Sequence, residues 1–275
     1  MQNIFFMGFS MDDDLSYNKE RWNELAKSNV EYSRPWFELT EENARRAVDK
    51  FGLLGDLHGK KVLCLAGGGG QQSVAFSMLG ADVTVFDFSE VQLQRDLEAA
   101  KHYKFDIKAI LGDMRDLSMF YKEAFDIVWQ GHSVNFIPDV LKVFEQVARV
   151  IQTGGVYHIS CSNPYVQGVW EQHWNGEGYL LNQPYVNGKE IEYTNRFWDI
   201  DKDDGQKIKV EGPREYRHTM STLINGLVEH GFEILHLWEE TAKDTKPEVG
   251  SWEHFKSIAP PFLYWWARYN PDLNK

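Results

Sequence analysis

The stretch Val62-Leu63-Cys64-Leu65-Ala66-Gly67-Gly68-Gly69-Gly70 decides the fold. It begins as an apolar run typical of a buried β-strand and ends in four consecutive glycines, after which a helix is predicted. Because glycine has no Cβ, such a turn lets the backbone approach a ligand closely, and the helix that follows offers free N–H groups. The order strand, glycine turn, helix predicts the first unit of an α/β sheet that binds a nucleotide-like ligand.

Apolar strands and helices alternate on the carboxyl side of this stretch. Strands are predicted at 61–66, 82–86, 107–111, 125–129 and 156–161, and helices at 71–79, 89–102 and 139–151. Alternating elements with wholly apolar strands predict a parallel sheet that is covered on both faces. A helix at 219–230 and strands at 232–238 and 262–269 resume the pattern near the end of the chain.

The pattern is interrupted at 163–216, where aromatic residues and turn signals are frequent and 190–198 could pair with 206–210 as a hairpin. We therefore predict one α/β domain over 1–275. Its fold is a Rossmann-like, doubly wound, mostly parallel seven-stranded sheet with helices on both faces and an inserted lid between strands five and six. The parts are N-terminal helices (1–56), a cofactor-binding core (57–162), the lid (163–216) and a closing helix and strands (217–275).

The composition excludes several functions. The formal net charge of −12 repels nucleic-acid phosphates and anionic lipid, and no dense run of lysine and arginine offsets it. Cys64 and Cys161 lie in predicted buried strands and form neither a disulfide framework nor a zinc site. The sequence has no pattern of a signal peptide or a membrane span. We expect a cytoplasmic monomer or homodimer with no nucleic-acid partner, no membrane partner and no metal.

The glycine run does not fit the dinucleotide pattern Gly-x-Gly-x-x-Gly/Ala. If the pattern starts at Gly67, its last position is Gln72, and if it starts at Gly68, its last position is Ser73. Both registers fail, which argues against an NAD-dependent oxidoreductase, the first alternative function.

Five motifs in the expected order resemble those of class I S-adenosylmethionine-dependent methyltransferases that act on small molecules. Together they cover 57–162. They are the loop Ala66-x-Gly68-x-Gly70, the strand-end acid Asp87, the stretch Gly112-Asp113-Met114-Arg115-Asp116-Leu117, the strand Phe125-Asp126-Ile127-Val128 with the loop that follows it, and the turn Val150-Ile151-Gln152-Thr153-Gly154-Gly155. The chain departs from the family where Ala66 replaces a glycine, Cys64 an acidic residue and Thr153 a proline.

The resemblance implies that S-adenosylmethionine is the cofactor. In the family, the acid at the position of Asp87 binds the ribose hydroxyls, the one at Asp113 reaches the adenine amino group, and Met114 packs on the adenine ring. The implied cofactor-binding residues are Ala66, Gly67, Gly68, Gly70, Gln72, Asp87, Phe88, Ser89, Gln92, Gly112, Asp113, Met114, Gln130, Gly131 and Tyr17. A second alternative function is a protein that binds this cofactor for regulation, or as a partner subunit, without methyl transfer.

Methyl transfer from a sulfonium is an in-line displacement with an activated leaving group, so positioning can supply much of the catalysis without a metal. The loop that carries His132 lines the sulfonium in the family, and His132 is the candidate base for an acceptor that arrives protonated. The alternative for His132 is a structural role, and the alternative for the lid aromatics is packing on the sheet. The predicted residues for a small-molecule acceptor are Trp22, Asn135, Asn163, Trp170, His173, Trp174 and Tyr179.

Overall fold

The computed structural model describes residues 4–6, 13–201 and 205–272. Its elements, in chain order, are β1 (Ile4–Phe6), α1 (Asp13–Lys27), α2 (Glu41–Val48), β2 (Lys61–Leu65), α3 (Gln72–Met78), β3 (Asp82–Asp87), α4 (Glu90–Tyr103), β4 (Lys108–Leu111), β5 (Phe125–Gln130), α5 (Val140–Val150), β6 (Ile151–Ser162), β7 (Phe197–Asp201), β8 (Lys207–Glu211), α6 (Met220–Glu229), β9 (Phe232–Glu239), α7 (Trp252–Ile258) and β10 (Phe262–Tyr269).

The main sheet has eight strands in the order β1-β4-β3-β2-β5-β6-β10-β9. Strands β1 to β6 pair in parallel, whereas β10 pairs antiparallel with both β6 and β9. All seven predicted strands are present, and the α/β class is confirmed. The three-residue β1 adds an edge strand that the sequence did not predict. The chain winds outward from β2 in both directions, so loops from both halves meet at the carboxyl ends of β2 and β5.

Two apolar layers cover the sheet, one on each face. On one face, α5 buries Val140, Val143, Phe144 and Val147, which recur every three or four residues, and α6 packs beside it. On the other face, α2, α3 and α4 contribute the residues of a second cluster with the opposite side chains of β2, β3 and β4. Helices on both faces fix the central strands, and therefore the positions of the loops that follow them.

The insertion after β6 contains a small antiparallel hairpin, β7 with β8. The predicted hairpin is present, but its first strand begins at Phe197 and not at 190. Residues 188–191 instead run beside 215–217, with an isolated bridge between Glu190 and Tyr216. The hairpin packs on α1, where Glu211 accepts hydrogen bonds from the Tyr17 hydroxyl (2.8 Å) and from Arg21 Nη1 (2.9 Å). We call α1 and this hairpin together the cap.

Candidate active site

A cleft of about 1420 Å³ lies at the carboxyl ends of the parallel strands, beneath the cap. Its wall includes the glycine loop after β2, the ends of β3 and β4, the loop after β5 and residues of the insertion. Pockets for one small ligand typically enclose about 300–1,000 Å³. The cleft therefore has room for a cofactor and an acceptor side by side.

The glycine loop has one face toward the cleft and one toward α4. Gly68 has φ +61°, and a Cβ there would meet no atom closer than the Ala66 carbonyl oxygen at 4.0 Å. Gly70 has φ +81°, and a Cβ there would lie 2.6 Å from the Arg95 carbonyl oxygen. The backbone at Gly68 is thus exposed to a ligand in the cleft, whereas Gly70 permits close packing against the helix.

Asp96, in the middle of α4, holds this loop and was not predicted from the sequence. Its side chain is fully buried and accepts hydrogen bonds from the backbone N–H of Gly69 (3.3 Å) and Gly70 (2.9 Å) and from the Ser73 hydroxyl (2.5 Å). Burial raises the pKa of the Asp96 carboxyl to about 6, although these three hydrogen bonds oppose the shift. Asp96 is therefore a positioning residue for the loop.

We expect Asp96→Asn to weaken S-adenosylmethionine binding by about tenfold, because the amide NH₂ would face donors that now have an acceptor. Ser73→Ala is the matched control, since it removes one of the three bonds and leaves both loop N–H groups bound. Calorimetry measures the affinity, and thermal unfolding shows that each variant is folded. Unchanged cofactor affinity in Asp96→Asn would contradict the positioning role.

Asp87 ends β3 on the wall of the cleft and is only 4% exposed. It accepts a hydrogen bond from the Ser89 backbone N–H at 2.8 Å, and Ser89 in turn caps α4 by accepting from the N–H of Gln92. Burial raises the pKa of Asp87 to about 7, with a further increase from Asp96 and an opposing effect from backbone N–H donors. A buried carboxyl on a cleft wall is a candidate binding group for hydroxyl donors.

Asp87→Asn should stabilise the protein and weaken cofactor binding. The folded state holds the Asp87 proton up to about pH 7 and the unfolded state only up to 3.8, so this carboxyl lowers stability as the pH rises between these values. The variant lacks this effect, so its stability relative to wild type should rise by about 4 kcal/mol between about pH 4 and about pH 8. S-Adenosylmethionine binding should weaken by about 1–3 kcal/mol, since the ribose hydroxyls lose a charged acceptor.

Asp82→Asn is the control for this prediction, because Asp82 begins the same strand at an exposed position beside Lys108. Thermal unfolding across the pH range and calorimetry at one pH are the measurements. If Asp87→Asn binds the cofactor as wild type does, Asp87 does not contact it.

The third acid, Asp113, is held in place by Arg115. The Arg115 side chain donates to Asp113 Oδ2 from Nε at 2.8 Å and lies 2.7 Å from it through Nη2, and the Arg115 backbone N–H donates to Oδ1 at 2.9 Å. Next to it, Met114 lines the cleft, and Gln130 Nε2 donates to its sulfur at 3.1 Å. The carboxylate of Asp113 is therefore oriented before any ligand binds.

His132 lies on the loop after β5 with a left-handed backbone, φ 38°. Its N–H donates to the Ser160 hydroxyl at 2.8 Å, and its Nε2 is 3.4 Å from the Ser162 hydroxyl oxygen. The ring meets Phe262 edge-on, with 4.8 Å between centroids. Burial lowers the pKa of His132 to about 4, so the imidazole is neutral at physiological pH and can accept a proton.

Comparison with known proteins agrees with this arrangement. A family model described as a methyltransferase domain matches residues 63–159. The uncharacterized methyltransferase YbaJ of Bacillus subtilis (strain 168) is 32% identical over 185 residues, which cover 67% of this chain and 70% of the relative. The chain belongs to the class I S-adenosylmethionine-dependent methyltransferase family. The predicted family, enzyme class and cofactor are confirmed.

Two solved structures of S-adenosylmethionine-dependent methyltransferases have the same fold. The enzyme from Mesorhizobium loti has a TM-score of 0.52 at 18% identity, over 83% of this chain and 100% of that chain. The enzyme from Clostridium acetobutylicum ATCC 824 has a TM-score of 0.55 at 12% identity, over 91% and 97%. At these identities the likeness supports the fold alone.

The methyltransferase brings most of the predicted cofactor residues to one cleft. Those on its wall are Ala66, Gly67, Gly68, Gln72, Asp87, Phe88, Gln92, Gly112, Asp113, Met114 and Gly131. Four others lie behind the wall or away from it. Gly70 faces α4, Ser89 caps the same helix, Gln130 is fully buried beneath Met114, and the Tyr17 hydroxyl is bound to Glu211 in the cap.

The predicted acceptor residues divide in the same way. Trp22, Trp170 and His173 line the cleft, as does the candidate base His132. Trp174 and Tyr179 instead pack on α7, at 4.7 Å from His254 and 4.9 Å from Phe255. The Asn163 side-chain amide donates to the Pro260 carbonyl oxygen, and that of Asn135 accepts from the Ser162 N–H. None of these four residues lines the cleft, and for Trp174 and Tyr179 the structure favours packing over a role in acceptor binding.

Several residues of the cleft wall were not predicted. Phe262 and Tyr264 reach it because β10 runs antiparallel to β6, with Phe262 opposite Ser162. Trp198 and Glu215 reach it from the hairpin and from the end of the insertion. No local pattern indicates these residues, because only the antiparallel pairing seen in the structure places the start of β10 beside the end of β6.

Proposed function

We propose that this methyltransferase transfers the methyl group of S-adenosylmethionine to a small molecule, in line and without a metal. The observation that carries the proposal is that the glycine loop, Asp87, Asp113 and His132 border one cleft beneath the cap. A cleft of this kind holds a small molecule more readily than an extended polymer. The residues that would act on the acceptor thus lie beside those that would hold the cofactor.

The residues present fit the cofactor. The backbone at Gly68 leaves open space where a Cβ would otherwise stand, which suits a close approach by the methionine part of the ligand. Asp87 would accept from the ribose hydroxyls, and the oriented Asp113 from the adenine amino group, with Met114 against the ring. When bound, S-adenosylmethionine supplies a methyl group on an activated sulfonium.

The protein would then orient the two reactants, limit the access of water and supply a proton acceptor. The cap lies over the cleft and would limit the access of water to the reacting atoms. The neutral Nε2 of His132 would take a proton from an acceptor that arrives protonated, while the Ser160 hydroxyl holds the backbone of that loop. Orientation of two bound reactants can by itself supply about 7–11 kcal/mol of catalysis.

Metal independence is part of the proposal because the leaving group needs no Lewis acid. In the ranges that the structure describes, no group of three or more His, Cys, Asp or Glu is placed to hold a metal ion. Across the same ranges, no helix has the length and apolarity to cross a membrane. The cellular location and the choice between monomer and homodimer stay predictions.

The test begins with calorimetry of the protein with S-adenosylmethionine and, separately, with NAD. We expect binding of the first alone. Formation of S-adenosylhomocysteine is then measured with an ultrafiltered metabolite extract, in the presence and absence of EDTA. Turnover only with the retained macromolecules would contradict a small-molecule acceptor, and loss of turnover in EDTA would contradict metal independence. Binding of NAD in place of S-adenosylmethionine would overturn the proposal as a whole.

A further inference from the structure

One part of the cleft wall is aromatic. Five ring pairs follow one another edge-on: Tyr32 with Trp198 (6.2 Å), Trp198 with Trp22 (5.9 Å), Trp22 with Phe136 (5.1 Å), Phe136 with His132 (6.4 Å) and His132 with Phe262 (4.8 Å). All six side chains line the cleft. We call them the aromatic belt. Aromatic faces that surround a site attract cations through the quadrupole of the rings.

A buried carboxylate stands on the same wall. Glu215 is only 8% exposed, and its closest polar neighbours are uncharged: the Gln167 side-chain amide donates to it at 3.5 Å, and the Tyr193 hydroxyl lies beside it. Among the residues that the structure describes, no lysine or arginine forms an ion pair with Glu215. Burial raises the pKa of Glu215, with opposing effects from Tyr193, Gln167 and Arg196. A buried carboxyl of this kind in a cleft marks a candidate binding group for a charged ligand.

Glu215 adjoins the belt through the backbone. The Tyr216 N–H donates to the carbonyl oxygen of Asn135 at 2.6 Å. Arg214 precedes Glu215 by one residue. The side-chain amide of Asn18 donates hydrogen bonds to the carbonyl oxygens of both Arg214 and Phe136. The segment that carries Glu215 thus runs along the turn that carries Phe136.

The three arginines of the cleft wall are each bound to another group, and none of them forms an ion pair with Glu215. Arg196 Nη2 is 2.5 Å from the Glu190 carboxylate, Arg115 is paired with Asp113, and Arg34 donates to the backbone carbonyl of Asn29 at 2.9 Å. Among the described residues of the wall there are nine acidic side chains, three arginines and no lysine. This field attracts a cation and repels an anion.

From these observations we infer that the methyl acceptor carries an ammonium group, which binds to the Glu215 carboxylate beside the aromatic belt. The inference deepens the proposed function and rests on it. It names a substrate class, small cationic amines, and it makes Glu215 the residue that determines specificity for charge. A neutral acceptor would leave the buried carboxylate unmatched, and an anionic one would meet like charge.

The test uses three probes of similar size and different charge: 2-phenylethylamine, 2-phenylethanol and phenylacetate. Each is titrated by calorimetry into the full chain loaded with S-adenosylhomocysteine. We expect the amine to bind at least about tenfold more tightly than the alcohol, and phenylacetate to bind most weakly. Glu215→Gln should remove the preference for the amine while S-adenosylmethionine affinity stays within about twofold of wild type.

Glu177→Gln is the matched control, because it removes the same charge from an exposed position of the insertion that is not on the cleft wall. It should keep the preference for the amine. The inference is overturned if the alcohol binds as tightly as the amine, if none of the probes binds, or if Glu215→Gln keeps the preference. Failure of the proposed function is a separate result, since the protein would then not bind S-adenosylmethionine or S-adenosylhomocysteine in the first titration.

Discussion

Gly68→Val should abolish S-adenosylmethionine binding, by more than about a hundredfold, while the protein stays folded. The added Cβ would stand in open space between the loop and the cleft, with no atom beyond its chain neighbours closer than the Ala66 carbonyl oxygen at 4.0 Å, so the side chain competes with the ligand and not with the core. A residue other than glycine at φ +61° costs about 1–2 kcal/mol, which a protein of this size can tolerate. Calorimetry and circular dichroism measure the two effects.

Gly70→Ala is the control in the same loop, with the opposite result. Its Cβ would lie 2.6 Å from the Arg95 carbonyl oxygen and 2.9 Å from the Ala99 side chain, both on α4. We therefore expect Gly70→Ala to lower the free energy of unfolding by several kcal/mol, although it adds a smaller side chain than Gly68→Val does. A folded Gly68→Val protein that binds the cofactor normally would show that the loop is not its binding site.

His132→Asn should reduce methyl transfer by about 10²–10⁴-fold with an acceptor that arrives protonated, at nearly unchanged cofactor affinity. Asparagine is the chosen replacement because it tolerates the left-handed backbone at φ 38° and lacks a basic ring nitrogen. His173→Gln is the matched control, since His173 also lines the cleft but is exposed. A larger loss in His173→Gln than in His132→Asn would place the base at His173.

The pH profile gives a second test of His132. A base must be deprotonated to act, and burial lowers the pKa of His132 to about 4. At saturating S-adenosylmethionine, activity that depends on it should therefore fall only as the pH drops toward about 4, and kcat/KM for the acceptor should show no His132-dependent acid limb near 6.5, the ordinary pKa of histidine. An acid limb near 6.5 that disappears in His132→Asn would mean that the ring is not desolvated in the working enzyme.

The strands and the cofactor loops could be predicted from the sequence because local patterns specify them. A wholly apolar run that ends in glycine at 62–70, and an acid immediately after the next strand at Asp87, need no knowledge of distant residues. Asp96 was missed for the opposite reason. An aspartate in the middle of a helix has the pattern of a surface residue, and its partners Gly69 and Gly70 lie in another element.

The acceptor side was less predictable because it depends on contacts between distant segments. Trp174 and Tyr179 were assigned to the cleft, but they pack on α7, a helix of seven residues that the sequence did not predict. A helix this short has too few turns to show a clear periodicity. Without it, the aromatic residues of the insertion had no visible partner other than a ligand.

Helix α4 anchors two parts of the predicted cofactor site. At its N-terminus, the Ser89 backbone N–H donates a hydrogen bond to the Asp87 carboxyl. Seven residues later, the Asp96 carboxyl accepts a hydrogen bond from the N–H of Gly70 in the glycine loop. With a rise of 1.5 Å per residue, these two anchor points are about 10 Å apart along a rigid rod. One rigid helix thus anchors both the end of β3 and the glycine loop, which are already neighbours because β2 and β3 pair in parallel. The wall formed by the insertion is built from irregular chain, so substitutions there would leave both anchor points in place.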